Sequence, residues 1–211
     1  MSNPHTTFWT PATKDSLCPV QNVTAGQFMV FTHPESVGMR FPGFARTISF
    51  TSANDCSGST LLIHGLCNGL GVTEEVQGPS HNTVESKQIV DAVISIQVLN
   101  SDGEGLSAGM GTTGRTAWFL FNYQAMMPAL SAQVILRAGT CTYSLMGTLS
   151  NVAQKKEGEI HPFALLNDMK HKEDSALAAV PLTPLHYVCV QVEKSDADAA
   201  LEITLLQQGI T

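Results

Sequence analysis

The chain has 211 residues, of which 43% are hydrophobic and only 14% charged, with 11 basic residues against 18 acidic ones. A net charge of −7 with no cluster of Lys or Arg excludes attraction to nucleic acid by phosphate neutralisation, and no run of about 18 apolar residues reads as a membrane-spanning helix. So low a charged fraction, in a chain too apolar to be disordered, predicts surface hidden in its own core or against neighbours, with an oligomer as the first expectation and a lightly charged monomer as the alternative.

Residues 1–27 are rich in Pro, Thr, Ser and Asn and hold no sustained period, so they read as an extended N-terminal arm or as a lead-in held down by packing. Their opening stretch lacks the charged and apolar regions of a secretion signal. From Gln27 the dominant period is two, the signature of half-buried strands. Strands are predicted over 27–32, 47–52, 60–66, 72–77 and 92–99, separated by turn residues such as Asn54-Asp55, Gly78-Pro79 and Ser101-Asp102-Gly103. Between Cys56 and Cys67 a pairing across a hairpin is open to consideration, but five widely spaced cysteines favour buried thiols over a disulfide framework.

The stretch AGMGTTGRTAWF, from Ala108 to Phe119, contains G-x-G-x-x-G at Gly109, Gly111 and Gly114. A dinucleotide turn needs a helix after these glycines and an acidic residue about 20 positions further on. Here the strand-like TAWFLFN follows, and no Asp or Glu lies between Glu104 and Glu157. No cofactor is expected, and the segment reads as a glycine-rich bend between a first β half, 28–114, and a second, 115–211. In the second half, strands are predicted over 116–123, 134–138, 141–145, 188–193 and 201–205. A polar excursion over 150–184 interrupts them as a surface or contact loop, with Ile160–Lys170 as the best helical candidate. The fold class expected is all-β, an antiparallel β-sandwich of jelly-roll or immunoglobulin-like type, in one or two halves.

Chemistry is sparse. The seven histidines, His5, His33, His64, His81, His161, His171 and His186, show no metal-ligand spacing, so no metal site is expected. His64 and Cys67 stand three apart, the nearest approach to a nucleophile pair. Glu74 and Glu75 point to opposite faces if they lie in a strand. The glycine-dense Gly65–Gly71 lacks the Gly-Lys-Ser/Thr ending of a phosphate loop and reads as a wide hairpin turn. No catalytic residue is assigned, and the chain is expected not to be an enzyme.

Two segments carry a resemblance. Ile48 to Pro79 (ISFTSANDCSGSTLLIHGLCNGLGVTEEVQGP) and Val90 to Gly111 (VDAVISIQVLNSDGEGLSAGMG) are similar to a pattern of tailed-bacteriophage virion proteins: a strand and turn leading to Thr-Glu and Gly-Pro, then a strand ending in an Ala-Gly-x-Gly bend. Val134 to Leu149 and Leu185 to Gly209 resemble the second half of such proteins. The resemblance implies a non-enzymatic virion subunit assembled in the host cytoplasm. It would form a homo-oligomeric ring at the neck, collar or head–tail connector, or decorate the capsid, touching portal, connector, tail or capsid proteins. Phe8, Trp9 and Phe28 are the candidate contacts between copies, with burial in their own core as the other reading. A β-sandwich binding module for a receptor or carbohydrate is the second class. A hydrolase on an all-β scaffold, which needs converging His and carboxylates, is the third.

Overall fold

A computed structural model describes residues 4–33, 37–38, 40–41, 43–121, 126–180 and 185–210. Fifteen strands follow one another among them: β1 (His5–Trp9), β2 (Cys18–Val23), β3 (Phe44–Thr51), β4 (Thr60–Cys67), β5 (Leu70–Gln77), β6 (Thr83–Glu85), β7 (Ala92–Leu99), β8 (Gly103–Thr116), β9 (Phe119–Leu120), β10 (Met126–Ala138), β11 (Cys141–Thr148), β12 (Phe163–Ala164), β13 (Ala176–Val180), β14 (Tyr187–Ser195) and β15 (Ala200–Ile210). The fold is all-β and its strand pairs are antiparallel, in the manner of a β-sandwich. The chain divides into two compact units, one of Ala12–Thr112 and one of Met1–Pro11 with Thr113–Thr211.

In the unit Ala12–Thr112, β4 pairs with β5 on one side and β7 on the other, while β8 is flanked by β2 and β3, and β3 by β6. Alternation decides which face each strand buries. In β4, Leu61, Ile63 and Cys67 turn inward and Leu62, His64 and Leu66 outward. Leu61 and Ile63 meet Ile48 and Phe50 of β3, Leu106 and Ala108 of β8, and Ile96 and Val98 of β7 in one core. Each of the Leu, Ile, Val and Phe side chains, fully buried, contributes about 1.5–3 kcal/mol. The β4–β5 connection is tighter than the wide turn expected from Gly65–Gly71. Asn68 and Gly69, at φ of 55° and 80°, form a two-residue hairpin between the paired Cys67 and Leu70.

In the other unit, β1, β15, β10 and β13 form a four-stranded sheet in that order. Its inner face carries Trp9, Leu201, Ile203, Leu205, Leu130, Ala132, Val134 and Val180, all buried. The second layer is built on β11 and β14, which bury Tyr143 and Leu145 opposite Val192 and Val190. β12 extends it at β11, while β9 and the last residues of β8 pair with β14.

Four sequence expectations give way here. The glycine segment is no bend: β8 runs unbroken from Gly103 to Thr116, and the chain passes between units at Thr112–Thr113 within it. Ile160–Lys170 holds no α-helix: Pro162 breaks its start, and only the two-residue β12 and a 3-10 turn at Asn167–Met169 form. Residues 27–32 make no named strand, only an isolated bridge from Phe28 to Gln97. The run at 116–123 reduces to the end of β8 and to β9, with 122–123 outside the described residues. The excursion carries β12 and β13, and its last part, 181–184, lies outside them too. Within residues 4–27, β1 pairs with β15 and β2 with β8.

Candidate functional site

One place brings together the residue types of a hydrolytic triad. Ser144 of β11 lies opposite β14, where its hydroxyl donates to Glu193 Oε1 at 2.5 Å, and His171 Nδ1 lies 2.5 Å from Glu193 Oε2. The connectivity is wrong for catalysis. A nucleophilic serine gives its proton to an imidazole, whereas this hydroxyl is spent on the carboxylate and accepts the His171 backbone N–H at 2.9 Å. Ser144 is also only 1% exposed. The cluster is a tie between β11, β14 and the loop at His171.

The remaining sequence candidates disperse. His64 and Cys67 fall on opposite faces of β4, with Cys67 buried and His64 beside Thr73 Oγ1 at 3.3 Å. Glu74 accepts the backbone N–H groups of Lys87 and Gln88 at 2.7 and 2.8 Å, fixing a loop, and Glu75 is exposed on the other face. All five cysteines are buried thiols, and burial pushes those of Cys18 and Cys189 up to about 12. Glu85 takes part in another tie. Its carboxylate accepts from Thr47 Oγ1 and from the backbone and hydroxyl of Thr112, joining β6, β3 and β8. Arg115 is 4% exposed and makes a two-pronged ion pair with Glu157, Nε to Oε1 at 2.9 Å and Nη2 to Oε2 at 2.7 Å. Its guanidinium lies 5.2 Å from the centre of the Trp118 ring. No group of three or more His, Cys, Asp or Glu among the described residues is placed to hold a metal ion.

What the structure does collect is sparsely charged surface. On the outer face of the sheet β1-β15-β10-β13, the register sets Phe8 beside Glu202 and Ile135, then Thr6, Thr204, Gln133 and Leu177 in one row, then Leu206, Ser131 and Ala179 in the next. Phe8 is 58% and Leu177 75% exposed. Glu202 is the single charge in these rows, and Arg137 pairs with it. In the unit Ala12–Thr112, the outer face of β5-β4-β7 aligns Glu75, Leu62, Gln97 and Phe28 in one row and Thr73, His64 and Ser95 in the next. On both faces exposed apolar side chains stand among mostly neutral polar neighbours, with Glu202 and Glu75 as the charges in the rows.

Of the three contact candidates from sequence, Phe8 and Phe28 lie on these faces, and Trp9, at 1% exposure, fills the core of its own unit. Alternation required this of Phe8 and Trp9, since neighbours in a strand face opposite ways. Leu177 went unrecognised because its strand, ALAAV, sits inside the polar excursion and has too little contrast between small residues to display a period.

No known family pattern matches the sequence, and no curated protein matches it. Among solved structures the chain is similar to the major capsid protein P2 from bacteriophage PM2, at 12% identity, over 98% of each chain, with a TM-score of 0.24. That score is too low to establish a shared fold, and the likeness is a weak one to a phage capsid protein. None of the described helices is long and apolar enough to cross a membrane.

Proposed function

We propose that the chain is a non-enzymatic structural subunit of a bacteriophage particle, assembling with copies of itself into a ring at the neck, collar or head–tail junction. The observation that carries self-assembly is the outer face of β1-β15-β10-β13, where Phe8 and Leu177 stand exposed on rows whose one charge, Glu202, is paired with Arg137. Burying such a face removes apolar area from water and strands few charges. The place in a phage particle rests on the resemblance of Ile48–Pro79 and Val90–Gly111 to tailed-phage virion proteins.

Sedimentation across a concentration series tests the assembly. The wild type should exceed the monomer mass of 22.6 kDa at micromolar concentration, and Phe8→Ser with Leu177→Ser should return it to that mass with the fold intact. A wild type that stays monomeric at every concentration refutes the reading. Labelled antibody on purified particles tests the location, with a single belt of label at the neck expected and label spread over the head counting against a ring there.

A further inference from the structure

Among the described residues, the sheet β1-β15-β10-β13 ends on β1 at one side and β13 at the other. An edge strand presents unpaired backbone N–H and C=O groups, and soluble proteins blunt such edges with charge, proline, bulges, brevity or a covering segment. Other margins of this molecule show those devices. β9 and β12 are two residues long and β6 three. β5 carries Glu74 and Glu75. β2 contains Pro19 and shifts register twice. β7 is covered by the segment around Phe28, through Met29 N to Ile96 O and Val98 N to Gln27 O. β1 (HTTFW) and β13 (ALAAV) differ: each has five residues, unbroken register, no proline and no Asp, Glu, Lys or Arg.

Strand direction points the same way. All three pairings in this sheet are antiparallel, so direction alternates across four strands and β1 runs opposite to β13. A second copy in the same orientation therefore offers its β1 antiparallel to the first copy's β13, with no inversion. We infer that copies of this chain join edge to edge, β13 of one pairing with β1 of the next, so that the sheet continues from copy to copy. This deepens the self-assembly reading above and rests on it. Main-chain hydrogen bonds supply the affinity. Phe8 of one copy and Leu177 of the next lie on the same outer face, one on each side of the joint. Such a head-to-tail contact closes into a ring or runs on as a filament, according to the rotation per step.

Proline variants test it. Successive N–H groups of an edge strand alternate between the neighbouring strand and solvent, so one of Ala178→Pro and Ala179→Pro removes a solvent-facing donor alone. The same holds for Thr6→Pro and Thr7→Pro in β1. Variants whose melting matches the wild type are carried forward. Each should sediment as a 22.6 kDa monomer, and an equimolar mixture of one β1 variant with one β13 variant should give a dimer, since each supplies the edge that the other lacks. Folded variants that assemble like the wild type overturn the proposal, as does a mixture that stays monomeric. If none of the proline variants folds, hydrogen exchange on the wild type decides. Amides of β1 and β13 should slow by at least about tenfold between dilute and concentrated protein, and unchanged exchange overturns the contact. A wild type that assembles with both edges unprotected removes edge pairing alone, while one that never assembles removes the self-assembly reading as well.

Discussion

At Gly109 the carbonyl oxygen of Thr13 lies where a side chain would begin: a Cβ built there would sit 1.7 Å from it. Gly109→Ala therefore pushes backbone against backbone and should cost about 3 kcal/mol or more. Gly71, also in a strand, has nothing within 4 Å of such a Cβ, and Gly71→Ala should stay within about 0.5 kcal/mol. Paired thermal melts check both, and equal losses would disprove the close-approach account. The sequence displayed the glycines but not their reason, because the oxygen that requires Gly109 comes from a residue 96 positions earlier. The cysteines make a second case at this scale. With Cys18 and Cys189 raised to about 12 by burial, neither should react with a thiol reagent at pH 8 until the chain unfolds, when all five should. Rapid labelling of either in the native protein would contradict their burial.

Among the elements, the turn at Gly139–Thr140 between β10 and β11 is held to the turn between β14 and β15 by one carboxylate. Asp196 Oδ2 accepts the backbone N–H of Thr140 at 2.8 Å and its hydroxyl at 2.9 Å. These bonds favour the ionised form and hold Asp196 below its ordinary 3.8. A carboxyl depressed by folding stabilises above its unfolded pKa, and that contribution is lost as pH falls through the folded value. Asp196→Asn should thus melt below the wild type at pH 6, and the gap should close by pH 2. A gap that persists in acid would show the carboxylate charge to be irrelevant. Strands with a strong apolar signal were legible: 60–66 and 92–99 match β4 and β7 nearly to the residue, because 60–66 is a short apolar run set off by turn residues and Ile94, Ile96 and Val98 alternate with Ser95 and Gln97. Strands lacking that contrast were not. β8 is hidden by glycine, β13 by alanine, and β1 by a threonine pair whose partner, β15, lies at the far end of the chain.

At the level of the whole molecule, the two units are unequal in connectivity. Ala12–Thr112 is one continuous piece with its own core, and as an isolated fragment it should give a cooperative melt and dispersed amide resonances. Residues 113–211 alone lack β1 and with it Trp9, so they should fold poorly until a peptide of residues 1–11 is added. Failure of the first fragment to fold would show that its core needs more than its own strands. The register His5↔Leu205 has a further consequence, one of timing. On the ribosome β1 emerges before its partner β15, and at about 5–20 residues per second the two are separated by roughly 10–40 s of synthesis. Throughout that interval the nascent chain exposes Trp9 and an uncharged strand with nowhere to go, while the middle of the chain is free to fold behind it. The strand inferred to receive a second copy thus stays unsecured within its own until β15 is made, and crowded polysomes offer neighbouring chains the same vacancy in that interval.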